Sequence, residues 1–493
     1  MVSGQIEKQE ILHDGFSHGQ LCDDRERLLL ENRFKHLFVR DERFNRKVVS
    51  FQGNKQQLVH RWIKYRESFS SVLVETLLED FNLAPGGIVL DPFAGSATTL
   101  LVGKMCGINA TGIEILPNCH LAWQAKSKFA EYDLAELKEI YGRLLLSTPG
   151  VASKPFPHSA ITEFAFPPEA ENAIMWYTDW FANLPVSENA KLLARLIQTS
   201  ILEDVSYTKK DGAFLRWDYR SEKQRRLNNA RLVQGKKPSR SMDKGPLPSV
   251  LDALVHAFSK AISDIGLLQA HYTRNGSAHQ ELIRGSTLEI LPVMPENKFS
   301  AVITSPPYLN RYDYTRTYAL ELAYLGCGDE LKTLRQSLLS STVESRSKNS
   351  RLENYYRSIG QEARYSEILS VINQIPVLDE INSAMKVRWD RGDLNNKGVL
   401  TMVDQYFSEL AFVFAEIYRT TRSGAHIAFV NDNVRYGGEI IPVDTITTCM
   451  AEAIGFEPEK IIVLDQKKGN SNQQMSRYGR TGLRKCITVW KRP

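Results

Sequence analysis

The chain has 493 residues, 42% hydrophobic and 24% charged, with 62 Lys and Arg against 57 Asp and Glu. This composition excludes a disordered or collagen-like chain, and no apolar run approaches the roughly 20 residues that a membrane helix needs. The net charge of +5 permits a polyanionic partner, and six scattered cysteines without a CxxC pair or a His/Cys ligand spacing predict neither a disulfide framework nor a metal site.

Residues 1–57 are polar and weakly periodic and read as an N-terminal arm or small helical cap. Their start, MVSGQIEKQEILHDG, has no basic run ahead of an apolar core, so no signal peptide is expected and a reducing cytoplasm is. Near residue 70 the period becomes helical. SSVLVETLLEDFNL sets Val72, Leu73, Leu77, Leu78 and Phe81 on one side, and APGG ends it. A short strand over Gly87–Leu90 runs into a turn of small residues, AGSATT, then a helix, TTLLVGKMCG, and a second strand, NATGIEIL. This is the first half of a doubly wound sheet. Residues 121–275 read mostly as helix, around a loop-like stretch, Lys209–Lys244, with twelve Lys and Arg against four Asp and Glu. Alternation of strand and helix resumes near 276, with strands in HQELIRGSTLEIL and over Ser300–Ile303. Residues 326–400 are again charged and helical. Then come a helix, LAFVFAEIYRTT, a strand, GAHIAFVND, a helix, PVDTITTCMAEAIGF, and two strands, EKIIVLDQ and KCITVWKR. The last two, with a Gly-rich segment between them, are expected to form an antiparallel pair at the sheet edge.

The predicted architecture is α/β: a doubly wound, mostly parallel sheet assembled from residues 58–135, 276–325 and 400–493. Two largely helical insertions, 136–275 and 326–399, interrupt it. In such sheets the loops at the carboxyl ends of the strands carry function.

Two of these loops carry chemistry. Asp91-Pro92-Phe93-Ala94-Gly95-Ser96 follows the first strand directly. Its small residues let the backbone approach a ligand, and the helix that follows offers free N–H groups. Glu114 ends the next strand, 23 positions after Asp91, where an acid grips ribose hydroxyls. The turn is not a phosphate-binding GxGxxG, so the pair points to a nucleoside without a pyrophosphate, such as S-adenosylmethionine. A turn that merely packs tightly is the competing reading of the turn alone. The second loop is Thr304-Ser305-Pro306-Pro307-Tyr308. Its prolines stiffen the backbone, holding the Ser305 side chain and the Pro306 carbonyl toward a pocket. Tyr308 offers a ring on which a base can stack. Acceptors beside an aromatic face suit an exocyclic amino group on a planar base.

DPFAGSATT together with TSPPY resembles the S-adenosylmethionine-dependent amino-methyltransferases of DNA, specifically those acting on cytosine N4. The resemblance implies a Rossmann-like class I methyltransferase fold. It extends the cofactor contacts through Thr98 of the first motif. HRWIKYRESFS, at 60–70, resembles the segment around the methionine end of the cofactor, with Phe69 and Ser70 at contact positions. IRGSTLEIL, at 283–291, resembles the adenine side, with Ser286 where family members often carry an acid. Two features depart from the family or vary within it. Ala97 stands where the family turn has Gly, which a negative φ would accommodate with slightly altered cofactor packing. The cofactor motif also precedes the catalytic motif, so target reading falls to an insertion or an end.

The basic stretch interleaves Phe214, Trp217 and Tyr219 with arginines. Beside a DNA-modifying core it is expected to hold double-stranded DNA, through Arg216, Arg220, Arg225, Arg226, Arg231, Lys236 and Lys237. A merely solvated face is the alternative. Arg311, Asp313 and Arg316 either line the base pocket or cap and pair along a helix. His120 and His426 read as structural. The expected activity is N4 methylation of a cytosine rotated out of the duplex, held by Ser305, Pro306, Pro307 and Tyr308, without metal. A restriction enzyme or other defence-system subunits are possible companions. Adenine-N6 methylation, RNA guanine-N2 methylation and a non-catalytic DNA-binding subunit remain as alternatives.

Overall fold

Parallel strands buried on both faces read as continuous apolar runs, and the runs of this sequence become neighbours in one sheet. A computed structural model describes residues 12–84, 86–211, 214–272, 278–464, 478–479 and 481–493. Its strands are β1 Phe38–Val39, β2 Ile88–Asp91, β3 Asn109–Glu114, β4 Thr208–Asp211, β5 Phe214–Trp217 and β6 Gln280–Arg284, followed by β7 Phe299–Thr304, β8 Thr421–Asp432, β9 Val434–Tyr436, β10 Glu439–Ile441, β11 Glu457–Leu464 and β12 Lys485–Lys491. Eight of them form the main sheet in the order β1-β11-β12-β8-β7-β2-β3-β6. All run parallel except β12, which is antiparallel to both β11 and β8. The fold is therefore the expected mixed α/β, mostly parallel sheet. Strand order reverses between β2 and β7, so the switch point of the sheet lies where Asp91 and Thr304 end their strands.

Two expectations change. The antiparallel pair β11–β12 forms, but it is not the edge, because β1 from the N-terminal segment pairs outside β11. The N-terminal segment is no loose arm in its described part. Arg27, fully buried on helix Arg25–Phe34, pairs with Glu380 at 2.8 Å and Glu439 at 3.0 Å. Arg484 is likewise bonded to Glu31 and, at 2.8 Å, to Asp444. Charges buried this deeply must be paired, since an unpaired one costs several kcal/mol. The Gly-rich segment at 465–477 lies outside the described residues.

The alternation of side chains divides the sheet cleanly. Val89, Ala301, Ile303, Val430 and Ile487 face one hydrophobic core, which also contains the helices of the first insertion, such as Leu134–Leu145 and Val250–His271. Leu90, Val302, Ile427, Phe429 and Cys486 face the other, shared with helices of the second insertion and with Gly398–Thr420. Each insertion thus thickens one face. The basic stretch is not a loop: it forms the hairpin β4–β5 and helix Glu222–Val233. No helix among the described residues is long and apolar enough to cross a membrane.

Candidate active site

The carboxyl ends of β2, β3 and β7 open on a cavity of about 720 Å³ including its mouth. The turn after β2 contributes Pro92, Phe93, Ala94 and Gly95, and the helix Thr98–Cys106 contributes Thr98. Glu114 comes from β3, and Ser305 and Pro307 from the loop after β7. Phe69 and Ser286 stand on the same wall, so the structure brings together residues drawn from four separated sequence motifs.

Gly95 has φ +50°, and a Cβ there would meet the Tyr65 ring at 2.7 Å. Only glycine permits this close approach. Glu114 is held by three backbone donors: the N–H of Gly95 at 2.8 Å on one oxygen, those of Ile115 and Leu116, each at 2.8 Å, on the other. Burial nonetheless pushes its carboxyl up to about 7, opposed by those donors, and the nearby charge of Asp91 adds to the push. The Thr98 hydroxyl on this wall is buried without a hydrogen-bond partner among the described residues. Among the described residues, Glu67 and Glu114 are the charged groups on the wall, with no lysine, arginine or histidine beside them.

Five of the sequence-predicted residues stand off this wall. Asp91 is fully buried behind it. Its carboxylate accepts the hydroxyl protons of Thr304 at 2.8 Å and Thr99 at 2.7 Å, and the Phe93 N–H at 3.2 Å. It ties β2, β7 and the following helix together instead of reaching a ligand, and burial pushes its carboxyl up to about 6 against those donors. Ser70 caps helix Ser71–Asp80 by accepting the Leu73 N–H at 3.3 Å, and donates to the Val48 carbonyl at 2.6 Å. The Ser96 carbonyl accepts from the buried Lys126 ammonium, which burial pushes down to about 8. Pro306 is buried, and Tyr308 lies half-buried beside Ser305.

Ala97, expected with a negative φ, takes φ +61°. The turn needs a left-handed residue there to start the helix, and alanine adopts it at a cost of roughly 1–2 kcal/mol. The Ser305 hydroxyl donates to the Tyr308 oxygen at 3.0 Å. The Lys485 ammonium lies 4.8 Å over the Tyr308 ring and 3.5 Å from Asp432, its cross-strand partner. Burial pushes the Tyr308 phenol up, so it stays protonated. Sequence reasoning missed Lys485 and Asp432, since a cross-strand pair has no local signature. It also missed Tyr65, Tyr314 and residues 337–339, which line the cavity. Tyr65 had a signal, as the ring inside the 60–70 motif.

Asp313 caps helix Tyr314–Thr317, accepting the Arg316 N–H at 3.2 Å, and pairs with Arg335 at 2.9 Å. Arg311 is half-buried and donates to Asn395 at 3.2 Å. His120 bonds the Glu114 carbonyl at 2.8 Å, and His426 stacks on Phe81 at 5.0 Å.

The basic hairpin is anchored to this site. Lys210, 3% exposed, is bonded to Glu321 and lies 4.7 Å over the Tyr318 ring, in the segment after Tyr308. The predicted DNA contacts divide into two kinds. Arg220 forks onto the buried Asp218 at 2.8 and 2.9 Å and donates to the Gly245 carbonyl at 2.7 Å, so it braces the fold. Arg225, Lys236 and Lys237 are exposed. Arg216 and Arg226 are exposed with surface ion partners Asp211 and Glu222, and such pairs are worth ~0–1 kcal/mol. Arg231, half-buried, donates to the Lys237 carbonyl at 2.8 Å. Trp217 is half-buried and Tyr219 exposed, while the Phe214 side chain lies outside the described residues.

Known proteins resemble this chain over nearly its whole length. A family model described as DNA methylase matches residues 37–124. Type II methyltransferase M.BsoBI of Geobacillus stearothermophilus is 52% identical over 97% of this chain and 94% of its own. Type II methyltransferase M.AvaI of Nostoc sp. is 37% identical over 94% of this chain and 92% of its own. Type II methyltransferase M.MjaII of Methanocaldococcus jannaschii is 41% identical over a shorter stretch, 18% of this chain and 16% of its own.

Proposed function

The chain belongs to the DNA methylases of the type II methyltransferase group, and on that premise we propose that it methylates the N4 amino group of a cytosine turned out of duplex DNA. It acts as the modification member of a restriction–modification pair. The observation that carries this reading is the cavity itself, whose wall holds Ser305 and Pro307 together with Gly95 and Glu114.

The wall fits S-adenosylmethionine. Glu114 suits the ribose hydroxyls, Phe93, Ile113 and Leu288 make an apolar slot for adenine, and the backbone of Ala94 and Gly95 borders the amino-acid end. The unpartnered Thr98 hydroxyl supplies one more polar contact. The acids, with no basic side chain, suit a cationic ligand. When bound, the cofactor supplies a methyl group already activated on a sulfonium.

The protein's own task is to position the base. Stacking on Tyr308 contributes roughly 1–3 kcal/mol, against a cost of a few kcal/mol for turning the base out. Because the Ser305 proton is directed to Tyr308, the Ser305 lone pairs are left to accept an amino hydrogen. The Pro306 carbonyl accepts the other. Holding both hydrogens turns the nitrogen lone pair toward the cavity, and such alignment lowers the barrier without covalent help. Lys485 and Asp432 fix Tyr308 from behind. Arg225, Arg226, Arg231, Lys236 and Lys237, with Arg216, track the phosphates.

Nucleoside analysis of DNA methylated by the protein is expected to give N4-methylcytosine. N6-methyladenine would overturn the cytosine assignment. Tyr308→Ala should lower methyl transfer by roughly 5- to 150-fold, the equivalent of the lost stacking, while cofactor titration stays at the wild-type value.

A further inference from the structure

A second cavity, about 1300 Å³ including its mouth, lies beyond Tyr65 and Ser68, residues that line both cavities. Three distant parts of the chain build it: residues 51–68, Ser96 of the turn after β2, and residues 203–209, Lys244 and Lys260 of the first insertion, the last on helix Val250–His271. Seven lysines and arginines line it against two acids, Glu203 and Asp204. Four of the seven are occupied. Arg61 pairs with Asp264, Lys64 with Asp204 at 2.5 Å and Arg66 with Glu203 at 3.1 Å, and the Lys244 ammonium is accepted by backbone carbonyls, among them that of Ser206 at 2.8 Å. Lys55, Lys209 and Lys260 have no hydrogen-bond or ion-pair partner among the described residues.

His60 supplies an independent observation. It lines this cavity, is 6% exposed, and both ring nitrogens lack a hydrogen-bond partner among the described residues. Burial, with a push from the Lys126 charge, holds its imidazole down to about 3, so it is a neutral donor and acceptor. A buried polar group without a partner is unfavourable, and a ligand that bonds it would relieve that. Burial and the charges of Arg61 and Lys64 also push the Lys260 ammonium down, a penalty that an anion reverses.

We propose that this cavity is a phosphodiester-binding site that seats the DNA strand beside the turned-out nucleotide, through Lys55, Lys209 and Lys260. The proposal rests on the reading of the chain as acting on DNA. Lys209 neighbours Lys210, whose anchorage to Glu321 places the cavity rim next to the segment that follows Tyr308. Because Tyr65 and Ser68 line both cavities, a strand seated there borders the cavity that holds Ser305 and Pro307.

The test uses the full chain with Lys55→Gln, Lys209→Gln and Lys260→Gln combined, and each alone. Duplex binding is measured across salt concentrations, with cofactor titration reporting the fold. The combined variant should flatten the slope of log K against log salt by about 2.7, and each single change by about 0.9, with cofactor affinity unchanged. An unflattened slope in the combined variant overturns the proposal. A methylphosphonate scan of the duplex supplies a second arm. Neutralising the phosphates flanking the target should weaken wild-type binding more than variant binding, and equal losses overturn the proposal. Titration with inorganic phosphate distinguishes a small-anion site. Saturation that leaves duplex affinity untouched overturns the assignment to DNA. If the slope flattens but the product is N6-methyladenine, the site stands and the cytosine reading falls. If the product is N4-methylcytosine and the slope is unchanged, the reverse holds.

Discussion

Two cavities meet at one aromatic wall and carry opposite charge. On one side of Tyr65 the charged lining is Glu67 and Glu114; on the other it is dominated by lysine and arginine. In this wall Tyr65 stacks on Tyr318 with ring centres 5.0 Å apart. In both cavities a charged group sits where burial disfavours its charge. Glu114 is pushed up and Lys260 pushed down, so each gains from a ligand of opposite sign. On the proposed reading, a cationic methyl donor and a polyanion would sit side by side in this protein. Each would meet complementary charge, with the Tyr65–Tyr318 ring pair between them.

The strongest way to break this comparison is to remove the acid. Glu114→Gln is nearly isosteric but sets an amide donor against a backbone N–H that the carboxylate accepts, and it should weaken S-adenosylmethionine binding by roughly 1.5–3 kcal/mol or more through loss of a charge-assisted hydrogen bond. The salt dependence of DNA binding should not move. Calorimetry giving wild-type cofactor affinity would remove Glu114 from the site.

The same group sets a pH dependence. Its folded carboxyl titrates near 7, above the ordinary 4.5. Ribose hydroxyls donate to the ionised form, so wild-type cofactor affinity should fall as pH drops through about 7, and Glu114→Gln should be flat there. For stability the sign is opposite. Between 4.5 and about 7 the folded state binds more protons than the unfolded one, so this group lowers unliganded stability as pH rises through that window. Urea titrations of both proteins at pH 5 and pH 8 measure that contribution.

On the basic side, bracing and contacting arginines should separate. Arg220→Ala leaves the buried Asp218 without its forked partner and should cost roughly 1–3 kcal/mol of stability in a urea titration. Arg225→Ala with Arg226→Ala should leave stability near wild type and flatten the DNA salt slope by about 1.8. Duplex binding unchanged at every salt concentration would make helix Glu222–Val233 a solvated face. The smallest expected effect tests the turn between the strands. Ala97→Gly relieves a left-handed alanine and should stabilise the fold by about 1 kcal/mol, read from the urea midpoint.

Much of the candidate site was legible because its parts are local. Small residues after an apolar strand, an acid at the next strand end and a proline-stiffened loop are each set by a few neighbouring residues. Their ends meet because parallel strands place their carboxyl termini on one side. Ser70 and Asp91 show the limit. Both lie in motifs whose neighbouring residues line the cavity, yet Ser70 faces a helix end and Asp91 faces two threonines. Which way a side chain turns depends on partners that sequence spacing does not reveal.

By itself the sequence determined the α/β alternation, the order of the motifs, the basic character of the first insertion and the candidate donor and base pockets. These follow from periodicity, turn chemistry and composition, which act over a few residues. Only the tertiary structure decided that β1 closes the sheet outside β11, that Lys485 and Asp432 flank Tyr308, and that Lys209 and Lys210 serve opposite ends. Lys210 turns inward to Glu321, whereas Lys209 faces the second cavity. The physical reason is that successive strand residues point to opposite faces, so two adjacent lysines of equal charge part company once the hairpin docks.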